Sequence, residues 1–226
     1  MNFDFVSEYD VLGAFWMTVQ LTFWSAIGAL IWGTILAAMR VSPVPLMRGF
    51  GTAYVNIVRN IPLTLIILAM SVVLADTLGM NLASRDADTY IADNSFRLAV
   101  VGFILYTATF VCEAIRAGIN TVPTGQAEAA RAIGLTFLQN MRIIVLPQAF
   151  RAVVGPLASV LIALTKNTTV ASAIGVAEAA YLMSAILEQE AALFATAAVI
   201  GLGFIVLTLP VGLILGRVAK KVSVKR

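Results

Sequence analysis

The residues with the greatest chemical potential in this chain interrupt or end long apolar stretches. Four consecutive polar residues, Lys166, Asn167, Thr168 and Thr169, follow an apolar run that begins near residue 148. An ionisable group at membrane depth is costly, so such a residue is a functional candidate by default. If Lys166 faces a pathway, its ammonium attracts a carboxylate, and the neighbouring amide and hydroxyls supply hydrogen bonds. The structural alternative is that Lys166 extends to the membrane surface or pairs with an acid.

Two further groups place charges at the ends of apolar segments. Glu113 and Arg116 are one helical turn apart, so they can form an ion pair on one helix face. Arg59 and Asn60 stand just before Pro62, which favours a helix start or a kink. We interpret Arg59 either as an anchor at the membrane surface or as part of an inner gate. Glu113 is either a structural partner of Arg116 or a substrate contact.

The composition excludes several kinds of chemistry. The chain has no histidine, which removes histidine acid–base catalysis and histidine metal ligation. Its single cysteine, Cys112, lies in an apolar run, so there is no internal disulfide. The phosphate-binding pattern G-x-x-x-x-G-K-[ST] does not occur, so any ATP that drives this protein is hydrolysed by another chain. We therefore expect no enzyme, no catalytic residue, no metal site and no cofactor bound by this chain.

The fold class follows from the apolar content. Hydrophobic residues make up 60% of the 226 residues and charged residues 12%, whereas a soluble domain is about half apolar and about a quarter charged. Several stretches approach or exceed the roughly 20 residues that cross a bilayer. Because open strands leave backbone groups unsatisfied in lipid, we predict an all-α membrane protein. The five expected spans lie at about 11–39, 54–80, 96–119, 148–169 and 191–218.

No internal repeat or linker divides the chain, so we expect one transmembrane domain over residues 1–226. Two proline features shape the predicted spans. Pro43 and Pro45 make a turn after the first span, and Gly155-Pro156 interrupts the fourth. The stretch 170–187 is also apolar, and the sequence leaves open whether it spans the membrane or re-enters it.

Charge asymmetry predicts the orientation of the five spans. With the N-terminus outside and the C-terminus in the cytoplasm, twelve cations lie inside: Arg40, Arg48, Arg59, Arg116, Arg131, Arg142, Arg151, Arg217, Lys220, Lys221, Lys225 and Arg226. Two cations, Arg85 and Arg97, then lie outside. Nine acids also lie outside: Asp4, Glu8, Asp10, Asp76, Asp86, Asp88, Asp93, Glu188 and Glu190. Four or six spans would place the tail or the first loop on the wrong side.

The stretch between the third and fourth spans has the features of a short helix that ends at a sharp turn. Thr124 or Gly125 begins this helix, and we expect Glu128 in its first turn, where a negative charge suits the helix dipole. Its alanines make a slim, nearly flat surface that can lie close against another protein. Gly134 is placed to end the helix as a left-handed C′ residue.

A second short helix is predicted directly after this turn. Thr136 and Gln139 form the capping-box pattern T-x-x-Q, which marks a helix N-terminus. Pro147 disfavours helix at Leu146, so we expect it to end the second helix. The whole stretch therefore predicts two helices joined at a glycine, on a loop between two membrane segments.

Seven residues of this stretch match the EAA loop of the permease subunits of bacterial ABC importers without a mismatch. They are Glu128, Ala129, Ala130, Gly134, Ile144, Leu146 and Pro147. In that family the loop, here at about residues 120–147, is a cytoplasmic coupling helix that docks into a groove of the ATP-hydrolysing subunit. The resemblance implies the type I ABC importer permease fold, and the charge pattern independently places this loop inside.

Other segments resemble the permeases of importers for polar amino acids. Lys166–Thr169 is similar to their K-[DN]-[ST]-[ST] element, Arg59–Leu63 to R-[GN]-[TI]-P-L, and Glu113–Gly118 to acid-x-x-Arg-x-Gly. The segments AYVNIVRNIPLTL, FRLAVVGFILYTATFV and LIALTKNTTVASAIGV look most similar to permeases of actinobacterial glutamate uptake systems. One departure is Ala158-Ser159, where relatives often carry Gly-Asn. If that asparagine contacts substrate in them, this subunit contributes less to the site than its partner does.

The resemblance implies a multi-pass subunit of the bacterial plasma membrane that forms half of an amino-acid translocation pathway. The expected substrate is glutamate, with glutamine, another polar amino acid or a basic amino acid as the alternative. The implied partners are two ATPase subunits that hold ATP and Mg, a second permease in a heterodimer, and an extracellular binding protein. ATPase closure would move the membrane helices through the coupling helix. No nucleic acid partner is expected.

Two other classes of function are alternatives to this interpretation. In an ion-coupled secondary transporter, Glu113, Lys166 and Glu178 would form an ion or proton relay. Such a protein is expected to show an internal repeat, which five spans make difficult, and the class leaves the 128–147 pattern unexplained. A non-transporting membrane scaffold would need neither Lys166 nor Glu128. For Glu178 itself, the sequence does not distinguish a buried, satisfied carboxylate from one near the outer face.

Overall fold

The computed structural model describes residues 8–190 and 193–222, and every regular element in these two ranges is helical. The α-helices are α1 (Val11–Val41), α2 (Pro45–Val58), α3 (Leu63–Leu68), α4 (Tyr90–Ile119), α5 (Thr124–Ala132), α6 (Phe137–Asn140), α7 (Leu146–Asn167), α8 (Ala179–Glu190) and α9 (Leu193–Val222). Three irregular helical segments extend them: π-helical Ala69–Thr77 after α3, π-helical Met141–Val145 between α6 and α7, and 3₁₀-helical Thr168–Ile174 after α7.

Four stretches of the described chain are long and apolar enough to cross a membrane. They are Val11–Val41, Tyr90–Ile119, Phe137–Ile174 and Leu193–Lys221. The fifth is the pair Pro45–Val58 and Leu63–Thr77, when the two are counted as one broken span. The predicted all-α membrane fold is confirmed in this form. The predicted positions of Asp4, Ala191, Lys225 and Arg226 lie outside the described residues.

The second predicted span, 54–80, is wrong in its shape. Pro45 does not lie in a turn but begins α2, which ends at Val58, and the next helix starts at Leu63 with a bend of 101° between the two. A proline at the first helical position loses only an N–H that would have no partner there. The helix start or kink predicted at Pro62 is confirmed, because Pro62 is the N-cap of α3 and the bend lies there. The hydropathy of residues 54–80 does not indicate how large the bend is.

The proline predictions in the fourth span are also wrong. Pro147 is the second residue of α7 and does not end a helix, because Leu146 is already helical and its N–H bonds to the Met141 carbonyl. The helix also continues through Pro156 without the predicted interruption. A proline near a helix start removes no ladder hydrogen bond, and the π turn before Pro147 changes the hydrogen-bond register there.

The core is formed where α1 and α4 pack side by side, with α7 against α4. Leu21, Phe103 and Leu164 are buried in one cluster with Ile67, and Leu36 lies in a second with Val55, Ala108 and Cys112. Glycines permit the close approach of these helices. A Cβ on Gly33 would stand 2.8 Å from the Ala108 carbonyl oxygen, and one on Gly118 would stand 2.1 Å from Val153 Cγ2.

Residues 170–187, which the sequence left open, are divided by a break at Gly175. The 3₁₀ helix ends at Ile174, and Gly175 adopts a φ of +78°, a conformation that suits glycine. After a short turn, α8 runs for 12 residues from Ala179. The stretch is therefore two separate pieces, and α8 is too short to cross a bilayer by itself.

Candidate functional site

The turn between α5 and α6 is a Schellman motif centred on Gly134. The Gly134 N–H donates to the Arg131 carbonyl at 2.9 Å, and the Leu135 N–H donates to the Ala130 carbonyl at 3.1 Å. Gly134 has a φ of +88°, in the left-handed region, as its predicted role requires. Two carbonyls at the end of α5 are thereby satisfied, and the angle between the two short helices is set by this residue.

The predicted capping box at the start of α6 is also present. The Gln139 N–H donates to Thr136 Oγ1, and the Thr136 N–H donates to Gln139 Oε1 at 2.9 Å. Asn140, at the end of α6, donates from Nδ2 to the Ala127 carbonyl at 3.1 Å and so ties α6 back to α5. One detail is wrong: α5 begins at Thr124, so Glu128 lies in its second turn and not its first.

Five of the seven residues of the EAA pattern line two clefts. Ala129, Ala130, Ile144 and Pro147 line a cleft of about 480 Å³ between α5 and the start of α7. Glu128 lines a second cleft of about 750 Å³, which also borders Val41 and Ile119 at the ends of α1 and α4. The coupling stretch, residues 120–147, therefore lies directly against the ends of two membrane helices.

The outer surface of this stretch is apolar and exposed. Ile133 is 81% exposed and Leu138 is 74% exposed, and Ala129 and Ala132 are also exposed. Exposed apolar groups clustered on a polar loop are typical of a surface that meets another protein. Glu128 is exposed beside them, whereas Ala130 is buried against the rest of the stretch.

A cluster of charges lies at the same end of the molecule, which we call the basic end. Glu113 of α4 accepts from Arg40 at 2.5 Å, and Arg116 lies 3.4 Å away and Arg59 3.6 Å away. The predicted ion pair with Arg116 is therefore present as part of a larger group. Arg40 lies in the last turn of α1 and Arg59 lies in the break after α2, so this Arg-Glu cluster joins three elements.

Sequence reasoning found only the local member of this cluster. Arg40 and Arg59 are 73 and 54 positions from Glu113, and no periodicity connects residues so far apart. One signal was available in the charge count. The predicted orientation places only two acids, Glu113 and Glu128, on the inner side with the twelve cations. An arginine on that side therefore has few carboxylates with which it can pair.

The structure separates the remaining polar candidates from this cluster. Gly118 of α4 abuts Val153 of α7, and Lys166 is 13 residues beyond Val153, or about 20 Å along the helix. Glu113 is five residues before Gly118, about 7 Å along α4. Because α4 and α7 run in opposite directions, both distances are measured toward the same side of this contact, and the two groups differ by about 12 Å along the helices. The predicted pathway residues therefore form two groups: Arg59, Asn60 and Glu113 at the basic end, and Lys166–Thr169 level with the middle of α4.

The second group is only partly free to bind a ligand. Lys166 is exposed, and among the described residues no acid lies within salt-bridge distance of it. The hydroxyls of Thr168 and Thr169 donate to the carbonyls of Thr165 and Lys166. Asn167 lines a groove of about 230 Å³ between α4 and α7. Ser159, which stands where relatives often carry asparagine, lines the same groove.

Glu178, outside the candidate spans, caps α8. Its carboxylate accepts from the Ala180 N–H at 2.9 Å and the Tyr181 N–H at 3.0 Å. The residue is fully buried, and burial raises the pKa of the Glu178 carboxyl to about 7, although the two N–H donors oppose this rise. Thr18 Oγ1 accepts from the neighbouring Ala179 N–H, so the cap also holds α8 against α1.

Relatives and solved structures agree with this architecture. The chain is 58% identical over 218 residues to the "Glutamate transport system permease protein GluC" of Corynebacterium efficiens, covering 96% of each chain. It is 34% identical over 180 residues to the "Glutamate/aspartate import permease protein GltK" of Escherichia coli O6:H1, covering 77% of this chain and 76% of that one. A crystal structure of "an amino acid ABC transporter with histidines" superposes with a TM-score of 0.84 at 26% identity, covering 98% and 99%.

Residues 29–224 match a family described as "Binding-protein-dependent transport system inner membrane component". This range contains the coupling stretch, the Arg-Glu cluster and Lys166. With the helical bundle and the coverage of its relatives, the match assigns the chain to transport across the inner membrane. The chain belongs to the family of inner membrane components of binding-protein-dependent transport systems.

Proposed function

We propose that this chain is a membrane-spanning subunit of an ATP-driven importer whose substrate is glutamate. The observation that carries the proposal is the 58% identity, over 96% of both chains, to a glutamate transport system permease. The relative named for glutamate and aspartate supports the same acidic class at lower identity. The solved structure of an amino acid ABC transporter with histidines is only 26% identical to this chain, so it supports the fold more than the choice of substrate.

The ATPase is a separate chain in this proposal. Ile133, Leu138 and the exposed alanines Ala129 and Ala132 form the surface that it would cover. The Schellman turn at Gly134 keeps α5 and α6 at a fixed angle. ATP and Mg bind to that partner. Closure of two ATPase subunits pushes on the coupling stretch, which contacts the ends of α1 and α4 and transmits the movement to the membrane helices.

The pathway requires a second permease, because one five-span chain contributes only half of it. We propose a heterodimer, with an extracellular binding protein that delivers glutamate to the outer face. Lys166 and Asn167 are the proposed contacts of this subunit level with the middle of α4, and Arg59 and Glu113 are those at the basic end. Ser159 faces the groove that Asn167 lines, so this chain presents a small hydroxyl there.

Transport in proteoliposomes tests the proposal. The complete complex is reconstituted with ATP enclosed, and radiolabelled glutamate is added outside with the matching binding protein. Uptake that requires ATP, requires the binding protein and prefers glutamate to glutamine is the expected result. Uptake that is insensitive to ATP but lost with a protonophore would contradict it and favour the ion-coupled class.

A further inference from the structure

The Arg-Glu cluster carries more positive charge than its single acid balances. Three guanidinium groups, of Arg40, Arg59 and Arg116, surround the Glu113 carboxylate, which leaves two positive charges in excess. Among the described residues, these arginines form no ion pair with any other acid. Three guanidinium groups have about fifteen N–H donors, whereas one carboxylate offers about four lone pairs. Most of the donors are therefore left for another acceptor.

The excess positive charge of the cluster is costly at Arg40, because that side chain is buried. The Arg40 side chain is only 8% exposed, and its Nε has no hydrogen-bond partner. A buried charge is stable only when it is paired and its donors are satisfied. Arg40 depends on a carboxylate that it shares with two other cations, so a second anion would stabilise the group.

The cluster is also open on one side. The Arg59 side chain is 43% exposed, and its contact with Glu113, at 3.6 Å, is the longest of the three. Arg116 and Glu113 are each about one third exposed. An arriving carboxylate therefore meets Arg59 and Arg116 first, and it can take Arg59 from Glu113 without entering the buried part around Arg40.

We propose that this cluster is a binding site for the side-chain carboxylate of an acidic amino acid, and that Glu113 occupies it when no substrate is present. The group already bound there is the side chain of a glutamate residue, which is the same chemical group that free glutamate carries. Bidentate pairing with arginine is a strong and specific way to hold a carboxylate. The assignment to glutamate rests on the proposed function, while the carboxylate site itself rests on the cluster.

Glu113 would then have a defined effect on transport. As an internal competitor, its carboxylate weakens the binding of the substrate at the basic end and so favours release. Because Arg40, Arg59 and Arg116 belong to three elements, exchange of Glu113 for a substrate carboxylate also changes how α1, α4 and the break after α2 are held together.

Equilibrium binding of radiolabelled glutamate tests this inference, without ATP or binding protein. The assembled complex is placed in nanodiscs of phosphatidylcholine, and wild type is compared with Arg59→Gln, Glu113→Gln and the control Arg151→Gln. Arg151 is an exposed arginine of α7 outside the cluster. We expect Arg59→Gln to weaken glutamate binding at least tenfold, Glu113→Gln to tighten it at least tenfold, and Arg151→Gln to change it less than twofold.

Each result supports or overturns the site. Equal affinities for wild type, Arg59→Gln and Glu113→Gln overturn it, as does equal binding of glutamine and glutamate by wild type. If Glu113→Gln does not assemble, the comparison of Arg59→Gln with Arg151→Gln decides. If the variants instead change the amount of phosphatidylglycerol that copurifies with the complex from its native membrane, and leave glutamate binding unchanged, the ligand is a lipid phosphate and the substrate assignment is overturned.

Uptake measured on the same preparations separates the two proposals. ATP-driven glutamate uptake with no response of glutamate binding to Arg59→Gln or Glu113→Gln refutes the site alone. Absence of ATP-driven uptake in wild type, with the expected responses in binding, refutes the proposed function and leaves the carboxylate site in place.

Discussion

Replacing Gly134 changes the coupling stretch through its backbone alone. Gly134 has a φ of +88°, and a Cβ built on it meets no atom within 4 Å. A Cβ at this position therefore has open space within this chain. The remaining cost is that of an L side chain in the left-handed region, about 1–2 kcal/mol and highest for a β-branched residue.

That cost decides how often the turn between α5 and α6 is closed. A cost of about 1–2 kcal/mol lowers the ratio of closed to open turn by a factor of about 5 to 30. An open turn loses the hydrogen bonds from Gly134 to Arg131 and from Leu135 to Ala130, so α5 and α6 no longer present one rigid surface. Gly134→Val should therefore uncouple ATP hydrolysis from transport.

The assay compares glutamate uptake with ATP hydrolysis in proteoliposomes for a graded series. We expect uptake per ATP to fall in the order Gly134, Gly134→Asn, Gly134→Ala and Gly134→Val, with at least a fivefold loss for valine, because asparagine tolerates the left-handed region best. Gly125→Ala is the matched control, since Gly125 lies in the first turn of α5, has open space and no positive φ. Wild-type uptake per ATP in an assembled Gly134→Val complex would refute the coupling role.

Three other changes probe separate parts of the molecule. Gly118→Ala places a Cβ 2.1 Å from Val153 Cγ2, so we expect a lower thermal unfolding midpoint in detergent. Adding Val153→Ala should partly restore the midpoint. An unchanged midpoint in the single variant would contradict the packing of α4 against α7. Thr136→Ala removes the cap of α6, which should cost about 1 kcal/mol and speed hydrogen exchange at the α6 amides, and unchanged exchange would argue against the cap. Lys166→Ala should reduce uptake of glutamate more than that of glutamine, and equal losses would remove Lys166 from substrate recognition.

Local features of the coupling stretch could be predicted from the sequence because neighbouring residues decide them. The left-handed residue at Gly134 and the capping box of Thr136 and Gln139 involve contacts within five residues. Their residue types are those that the geometry requires: glycine for a positive φ, and a hydroxyl with an amide three positions later for the cap. Both predictions are therefore confirmed in detail.

The direction of the chain could not be predicted in the same way. Pro62 predicts a helix start or a kink, and α3 does begin directly after it, but the size of the bend, 101°, depends on how α2 and α3 pack against α1 and α4. The helix breaks predicted at two prolines are wrong for a related reason. Pro147 and Pro156 predict helix breaks when only the local chain is considered, but a start position and a π turn accommodate the first, and the helix continues through the second.

The candidate site shows the same division between local and distant contacts. The pair of Glu113 and Arg116 follows from their spacing, whereas Arg40 and Arg59 reach Glu113 only because α1 and the α2–α3 break pack on α4. The separation of Lys166 from this cluster likewise depends on the register of α4 against α7 at Gly118 and Val153. Interhelical register is decided by packing and has no local signature in the sequence.

The most direct test of the proposed function is to purify this chain by affinity from its own membrane in mild detergent. The proteins that accompany it are identified, and ATP hydrolysis is measured with and without glutamate and the matching binding protein. We predict that an ATPase with a phosphate-binding loop and a second permease accompany the chain, and that glutamate with its binding protein stimulates hydrolysis. A chain that purifies alone, with no ATP hydrolysis in the preparation, would contradict the proposed function.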